Sequence, residues 1–195
     1  METWAIILAA GGSRRMRKNK LLLPFHKKTL IELVVEHAMQ AGIDNVLLVL
    51  GAYRDDLLPL IRRMPVRHCY NEDYEKGMLS SVQCGFRNIP PSMDAAIIFL
   101  GDQPAIPGKV ARTLVNECRQ SGKGIIIPVY GGKRGHPVLI HKRYRKEIEG
   151  LDQTEGLRGL MRKFSHDVLE VAVDSPGILK DIDVPQDYFD LTKSK

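Results

Sequence analysis

Short apolar segments alternate with amphipathic segments along the chain. Several of the apolar segments lack polar alternation, which is typical of strands buried on both faces of a parallel sheet. We predict strands at residues 4–10, 45–50, 66–71, 94–100, 124–129, 137–141 and 167–173. Alternation of this kind predicts a three-layer α/β fold with a mainly parallel sheet, in which ligands gather at the carboxyl ends of the strands.

The segments between these strands carry helix signals. Thr29 and Glu32 form a capping-box pattern, apolar residues follow at helical spacing, and Gly42 provides a stop. Further helices are predicted at residues 55–64, 78–87, 107–121, 142–150 and 154–163, and another begins near Pro185. Pro59 is expected near the first turn of its helix, where proline is tolerated. Because no linker, repeat or composition shift interrupts the pattern, we expect residues 1–195 to form a single domain.

Composition excludes several classes of protein. Charged residues make up 27% and apolar residues 44% of the chain, which argues against disorder. No apolar stretch has the length of a membrane span, and the three cysteines are widely spaced, without a Cys-x-x-Cys pattern. We therefore expect a cytoplasmic protein with reduced thiols and no membrane partner. Nucleic acid is not an expected partner either, because recognisable binding motifs are absent and aromatic residues make up only 6%.

The first predicted strand ends in a glycine-rich turn, Gly11-Gly12-Ser13. Two glycines allow a tight turn and a close approach to a ligand, and the freed amides can bind an anion. Seven Lys and Arg residues follow before Glu32, and the rest of the chain carries 22 basic against 23 acidic residues. The net charge of +6 therefore resides in one segment, which indicates a local polyanion site. An ordinary strand-to-helix turn with a solvated basic surface is the alternative, since neither a Walker A nor a dinucleotide-binding motif is present.

Two aspartates are candidates for a metal site. Asp102 follows the strand predicted at residues 94–100, within Gly-Asp-Gln-Pro. A carboxylate at this edge of the sheet suits Mg²⁺, which prefers oxygen ligands and shares its site with substrate phosphates. The alternative is a turn aspartate that binds its own backbone. Asp183 lies two residues before Pro185, where helix capping alone would explain an aspartate.

Two further groups of polar residues follow predicted strands. Asn71, Gly77, Ser80 and Ser81 can hold a base or ribose through backbone amides and hydroxyl groups, although Ser80 is equally suited to a helix cap. His136 lies in a glycine-rich segment together with Arg134, and a lone histidine of this kind is commonly a structural residue.

Several of these motifs resemble one family. Leu8-Ala-Ala-Gly-Gly-Ser-Arg-Arg-Met, followed by Lys20-Leu-Leu-Leu-Pro, is similar to the signature loop of the MobA/MocA-type molybdenum cofactor nucleotidyltransferases, which attach CMP or GMP to molybdopterin. The Gly-Asp-Gln-Pro loop, the Ile-Asp-x-Pro-x-Asp segment around Asp183 and the Gly-Met-x-x-Ser segment from Gly77 also resemble family motifs, in family order. Two positions depart from the pattern: Arg17 stands where the family usually has Gly, and residues 153–155 differ from the family's Gly-Asp-x segment.

The resemblance implies a Rossmann-like nucleotidyltransferase fold and a set of site residues. Lys20, Arg15 and Asp102 are the implied catalytic residues, and Asp102 and Asp183 the implied ligands of Mg²⁺. Arg134 and His136 match a segment on the acceptor side. The implied nucleotide-binding residues are Leu8, Ala9, Ala10, Gly11, Gly12, Ser13, Lys20, Asn71, Gly77, Ser80, Ser81 and Asp102.

The resemblance also implies a mechanism. An acceptor's terminal phosphate attacks the α-phosphorus of a nucleoside triphosphate in line, and pyrophosphate leaves. The turn amides and Arg15 hold the triphosphate, while Lys20 neutralises charge at the α-phosphate and the leaving group. No general base is needed, because a phosphate acceptor is already ionised.

The glycine-rich turn and the Gly-Asp-Gln-Pro loop are closer to the cytidylyltransferase branch, which favours CTP over GTP and molybdopterin or molybdenum cofactor as the acceptor. Relatives in this branch serve molybdenum hydroxylases, for example in purine catabolism, so a hydroxylase apoenzyme is a further expected partner. A non-catalytic maturation or carrier protein is the alternative.

Overall fold

The computed structural model describes residues 1–13, 15–16, 18–25 and 27–193. These residues form the strands β1 Thr3–Ala9, β2 Pro24–Phe25, β3 Lys28–Thr29, β4 Asn45–Leu50, β5 Arg67–Tyr70, β6 Ala95–Leu100, β7 Ile125–Tyr130, β8 Lys133–Arg134, β9 Val138–His141 and β10 Val168–Ala172. They also form the α-helices α1 Leu30–Gln40, α2 Arg54–Ile61, α3 Met78–Asn88, α4 Gly108–Ser121, α5 Arg145–Glu149, α6 Leu157–Lys163 and α7 Pro185–Lys193. In the described part of the chain, no helix has the length and apolar character that crossing a membrane requires.

The main sheet is mixed and mostly parallel. Its strand order is β10-β7-β9-β6-β1-β4-β5, with β8 paired to β7. β1 runs parallel to both β4 and β6, β4 parallel to β5, and β7 parallel to β10, whereas β9 is antiparallel to β6 and β7. The predicted α/β fold with a mainly parallel sheet is therefore confirmed.

Helices cover both faces of the sheet because the side chains of each strand alternate between two cores. In β1, Ala5 and Ile7 pack in the cluster that includes residues of α1 and α4. Trp4 and Ile6 pack in the opposite cluster with residues of α3, α5 and α6. These three layers bury β1 on both faces, as its uninterrupted apolar sequence predicts.

The start of α1 shows how local sequence specifies the fold. The Thr29 amide donates to Glu32 Oε2 at 2.6 Å and the Glu32 amide to Thr29 Oγ1 at 3.4 Å, which completes the predicted capping box. The helix ends before Gly42, whose φ of +83° lies in the left-handed region that glycine adopts without strain. Both predicted helix signals are confirmed.

Some predicted boundaries are wrong. α2 begins at Arg54 and ends at Ile61, so Pro59 lies in its second turn and not near its first. The predicted helix at residues 142–150 is a 3-10 turn, Lys142–Tyr144, followed by the short helix α5. The small β2–β3 hairpin was not predicted, because its two-residue strands are too short for a periodic signal.

Candidate active site

A cleft with a volume of about 480 Å³ opens at the carboxyl edge of the sheet. Its walls come from the loops that follow β1 and β6, from the start of α3 and from the segment before α7. β1 and β6 are parallel neighbours, with Leu8 opposite Leu100, so their following loops leave the sheet side by side. The glycine-rich loop and the Gly-Asp-Gln-Pro loop therefore meet at the same edge of the sheet. They are about ninety residues apart in sequence.

The structure brings most of the predicted nucleotide-binding residues into this cleft. Arg15 and Asp183 line the cleft too. The structure describes all of the predicted nucleotide-binding residues, and three of them, Gly12, Asn71 and Ser80, lie outside the lining. Arg14 and Arg17 lie outside the described residues. The predicted nucleotide-binding residues in the lining are Leu8, Ala9, Ala10, Gly11, Ser13, Lys20, Gly77, Ser81 and Asp102.

A lysine lies between two carboxylates in the cleft. Lys20 Nζ donates to Asp102 Oδ2 at 2.6 Å and to Asp183 Oδ1 at 3.0 Å, and its side chain is only 12% exposed. Arg15 approaches Asp183 from the solvent side, with 2.6 Å between Arg15 Nη2 and Asp183 Oδ2 and 67% of the arginine side chain exposed. The site thus combines two cations and two anions, of which Arg15 is the most exposed.

The electrostatics of the cluster favour the charged forms of Lys20 and Asp183. Burial is the largest effect on Lys20 and disfavours its ammonium, but the Asp102 and Asp183 carboxylates outweigh it and raise the pKa of Lys20. Burial is likewise the largest effect on Asp183 and opposes ionisation, but Lys20 and Arg15 together outweigh it and lower the pKa of Asp183. The lysine is therefore a fixed positive charge and Asp183 a fixed negative charge near neutral pH.

The glycine-rich turn holds a non-glycine residue in a rare conformation. Ser13 has φ of +43°, in the left-handed region, and its carbonyl accepts from the Met16 amide at 2.9 Å. Lys20 begins a 3-10 turn that Asn19 caps by accepting from the Leu21 amide at 3.1 Å. A left-handed residue within a glycine-rich turn is typical of backbone concavities that bind anions.

One backbone contact and one side-chain contact join the Asp102 loop to the Asp183 segment. The Ile182 amide donates to the Asp102 carbonyl at 3.0 Å. Gln103, which is buried, donates from its side-chain amide to Asp181. These contacts keep two distant carboxylates at one place, and they give Gln103 a positioning role that its sequence context did not reveal.

The start of α7 is contacted by Asp187, and the side chain of Asp183 points elsewhere. Asp187 Oδ2 accepts from the amides of Asp183 and Val184, both at 2.8 Å, so Asp187 caps α7. The side chain of Asp183 is left to contact Lys20 and Arg15. These contacts of Asp183 are made with the two cations of the cleft, whereas Asp187 is the residue that contacts the amides before α7.

The opposite wall is supported by a buried polar network. Asn71 Nδ2 donates to Ser80 Oγ at 2.9 Å and to Ser81 Oγ at 3.0 Å. Ser80 Oγ in turn lies 2.8 Å from the carbonyls of Asp73 and Gly77. Ser80 and Asn71 are therefore engaged within the protein, whereas Ser81 and Gly77 face the cleft.

Sequence reasoning missed two residues of this wall. Tyr74 and Met78 line the cleft, and Met78 is 50% exposed although it is apolar. In the sequence, Met78 directly follows Gly77 at the start of a predicted helix, and this position is the signal that could have identified Met78. Large apolar side chains that are exposed at a cleft indicate a binding surface.

The two predicted acceptor residues are not among those that line the cleft. Arg134, in β8, forms an ion pair with Glu170 of β10, so the structure does not bring its side chain to the cluster around Lys20. His136 is half-buried, and its burial lowers the pKa of the imidazole to about 4, although the nearby Asp102 carboxylate opposes this. His136 is therefore neutral at physiological pH.

The donor set at Asp102 and Asp183 fits a divalent cation. Both carboxylates contact the same ammonium nitrogen, so both can reach a single cation-sized centre. No group of three or more His, Cys, Asp or Glu with metal-site geometry occurs among the residues that the structure describes. A site with two protein carboxylates matches Mg²⁺, which commonly takes its remaining ligands from water and substrate phosphates.

Comparisons with known proteins agree with this geometry. The family model of the MobA-like NTP transferase domain matches residues 5–171. The chain is 28% identical to the molybdenum cofactor cytidylyltransferase of Escherichia coli (strain K12), across 94% of this chain and 92% of that protein. It is 31% identical to the purine catabolism protein PucB of Bacillus subtilis (strain 168), again across 94% and 92%.

Two solved structures agree as well. The crystal structure of Rv0371c from Mycobacterium tuberculosis H37Rv has a TM-score of 0.88 at 27% identity, covering 99% of this chain and 98% of that one. The Rv0371c complex with manganese has a TM-score of 0.83 at 25% identity and covers both chains completely. Taken with the match over residues 5–171, these similarities show that the chain belongs to the MobA-like NTP transferase domain family and is a nucleotidyltransferase.

Proposed function

We propose that this chain, acting as one domain over residues 1–195, transfers CMP from CTP to the terminal phosphate of molybdopterin or molybdenum cofactor and releases pyrophosphate. The observation that carries the proposal is the position of Lys20 between Asp102 and Asp183 at the cleft. An ammonium there can exchange its carboxylate contacts for phosphate oxygens. The names of the Escherichia coli and Bacillus subtilis relatives support the acceptor and the biological context.

The turn after β1 and two basic residues act on the triphosphate. Backbone amides around Gly11 and Ser13 bind the phosphate oxygens, and Arg15, whose side chain is largely exposed, closes over them. Lys20 neutralises the charge that develops at the α-phosphate and the leaving pyrophosphate. The reaction depends on positioning and charge neutralisation, so no nucleophilic side chain or general base is required.

Asp102 and Asp183 would hold Mg²⁺. A divalent cation there supplies charge neutralisation on the phosphate oxygens and orientation of the phosphates. For the cation to be held by both carboxylates, Lys20 must give up its contacts with them. The two carboxylates therefore bind either the lysine or the metal, and triphosphate gives the displaced ammonium a new partner.

The wall formed by residues 71–81 is the proposed site of the nucleoside. Tyr74 and Met78 offer flat or polarisable surfaces to a base, while Ser81 offers a hydroxyl group. Arg134 and His136 remain proposed acceptor residues, and Arg134 has to leave Glu170 to serve this role. We place the reaction in the cytoplasm, because the three cysteines are free thiols.

The deciding experiment measures pyrophosphate release with Mg²⁺, molybdopterin and each nucleoside triphosphate in turn. We expect release with CTP that exceeds release with GTP, and none when the acceptor is omitted. Preference for GTP would identify a guanylyltransferase of the same family. Molybdopterin binding without release from any nucleotide would instead identify a carrier protein.

A matched pair of variants tests the role of Lys20. Lys20→Ala should abolish most of the release, whereas Lys142→Ala should not. Lys142 also forms an ion pair with an aspartate, Asp94, at 3.0 Å, but at the amino end of β6, away from the cleft. Equal activities of the two variants would contradict the proposed role.

A further inference from the structure

Two cysteines lie in contact behind the nucleoside wall of the cleft. Cys69 is in β5, the edge strand of the sheet, and Cys84 is in α3. Their sulfur atoms are 3.7 Å apart, and both are free thiols. Cys84 is 4% exposed, whereas Cys69 is partly exposed, so small oxidants can reach the pair from the side of Cys69.

The two cysteines bracket the wall in sequence. The segment between them, residues 70–83, contains four residues of the cleft lining: Tyr74, Gly77, Met78 and Ser81. Asn71 joins the same two elements two residues after Cys69, through its hydrogen bonds to Ser80 and Ser81. Any change in the spacing between β5 and α3 at the cysteines is therefore transmitted to this wall.

The surroundings make the two sulfurs chemically different. The hydrogen bond from Cys69 has the largest effect on the pKa of Cys84 and lowers it, and the nearby Arg87 lowers it further. Together they outweigh burial, which acts in the opposite direction, and the pKa of Cys84 falls to about 7. The same hydrogen bond and burial raise the pKa of Cys69. Cys84 is thus the sulfur that becomes a thiolate, and Cys69 retains its proton.

We propose that Cys69 and Cys84 form an oxidisable dithiol, which peroxide converts into a disulfide that closes a ring around the nucleoside wall of the cleft. The Cys84 thiolate attacks one oxygen of hydrogen peroxide, the O–O bond breaks, and a sulfenic acid and hydroxide form. The Cys69 thiol then attacks the Cys84 sulfur and displaces its oxygen, which leaves as water with the Cys69 proton. In total, two thiols lose two electrons and two protons, and one peroxide becomes two waters.

Formation of the bond requires movement. The sulfurs must approach from 3.7 Å to the roughly 2.05 Å of a disulfide, whereas the Asn71 hydrogen bonds hold β5 and α3 at their reduced spacing. We therefore expect the disulfide to strain the contacts of Asn71 with Ser80 and Ser81. Loss of one such hydrogen bond corresponds to a change of about fivefold in a binding constant, so nucleotide affinity should fall by roughly this factor.

The chain offers an internal control for the chemistry. Its third cysteine, Cys118, is buried in α4, and its thiol donates to the Lys123 carbonyl at 3.5 Å, away from the pair. The test treats the full chain with hydrogen peroxide and counts free thiols after unfolding. Wild type should fall from three free thiols to one, with a peptide map that joins Cys69 to Cys84, and Cys118→Ser should fall from two to none. Cys69→Ser should lose at most one thiol, as the unresolved sulfenic acid of Cys84, and should form no disulfide.

Retention of three thiols by wild type, or a disulfide that involves Cys118, would overturn the proposal. So would the loss of the same number of thiols in wild type and in Cys69→Ser. Because Cys84→Ser removes the other sulfur of the same pair, it must also block the disulfide, which keeps the test valid if one variant folds poorly.

The effect on binding rests on the proposed function and is measured separately. CTP and GTP binding to reduced, oxidised and dithiothreitol-treated protein is compared by calorimetry. We expect weaker binding after oxidation, full recovery after reduction, the same response in Cys118→Ser and no response in Cys69→Ser. A mapped disulfide with unchanged affinity would refute the coupling to the wall. Absence of nucleotide binding even in the reduced protein would refute the proposed function while the thiol count still decides the disulfide.

Discussion

The Lys20 ammonium lies 2.6 Å from the Asp102 carboxylate, and the two residues belong to loops that follow neighbouring parallel strands. Asp183 contacts the same ammonium at 3.0 Å from a segment near the carboxyl terminus. Three distant parts of the sequence therefore converge on one positive charge. This charge balances two carboxylates that would otherwise repel each other across the cleft.

Replacement of Asp102 should separate its catalytic role from its contribution to the ion pair. In Asp102→Asn we expect pyrophosphate release to fall by about a hundredfold or more, because a ligand charge of the divalent cation is lost. Asp94→Asn is the matched control, since Asp94 flanks the same strand at its other end and contacts Lys142. Steady-state rates at saturating nucleotide and Mg²⁺ compare the two. An equal loss in both would assign the defect to the strand and not to the site.

Asp187 should control activity through Asp183. Removing its carboxylate in Asp187→Ala deprives the Asp183 and Val184 amides of their acceptor, which should cost about 1 kcal/mol of stability and lower the affinity for the divalent cation. Asp187→Asn keeps an acceptor oxygen at the same place and should show a smaller loss of both. Urea unfolding and titration with Mn²⁺ measure these effects. Identical behaviour of the two variants would exclude the capping role.

Asn71 should act as a support for the nucleoside wall and not as a ligand. Asn71→Ala removes the donor to two buried hydroxyl groups, so we expect a loss of about 1 to 3 kcal/mol in the free energy of unfolding and weaker nucleotide binding. Asn88→Ala is the control, because Asn88 also donates to a neighbouring group of α3 but is exposed. Thermal unfolding and CTP titration of both variants check this. Weaker binding at unchanged stability would point to direct contact with nucleotide.

The sequence was sufficient for most of the fold because long-range alternation of strands and helices is repeated along the chain. It also located the glycine-rich turn and Asp102, since both follow apolar strands directly. It did not reveal that Asp187, four residues after Asp183, takes over the capping role. Nor did it reveal the contact of Gln103 with Asp181, because tertiary contacts between loops have no periodic pattern.

The dependence on tertiary contacts also explains why only some of the predicted polar residues line the cleft. Ser80 and Ser81 are adjacent and chemically identical, but α3 directs Ser81 into the cleft and Ser80 toward Asp73 and Gly77. Their difference depends on the phase of the helix relative to β5. A pattern of residue types cannot supply this phase without the packing of both elements.

His136 should make the protein less stable in mild acid. Its pKa is lowered to about 4 by burial, against about 6.5 in the unfolded chain, so the unfolded state binds a proton first as pH falls. Stability is fully present above about pH 6.5 and should decrease by about 1 to 3 kcal/mol as pH falls towards 4. Urea unfolding between these limits should show a shallower pH dependence in His136→Asn than in wild type. His68→Asn, at an exposed position, should retain the wild-type dependence.

Gly51 should be essential to the glycine-rich turn although it lies in another loop. A Cβ atom at Gly51, directly after β4, would lie 2.5 Å from the Ala10 carbonyl oxygen, which also accepts from the Ala52 amide at 3.1 Å. Since the obstacle is backbone, Gly51→Ala must displace the turn after β1, at a cost of about 1 to 3 kcal/mol in stability and with weaker nucleotide binding. Gly150→Ala is the control, because its Cβ would meet its nearest neighbour at an ordinary 3.7 Å. Calorimetric unfolding and CTP titration of both variants decide the matter, and wild-type binding by Gly51→Ala would show that this close approach does not shape the phosphate site.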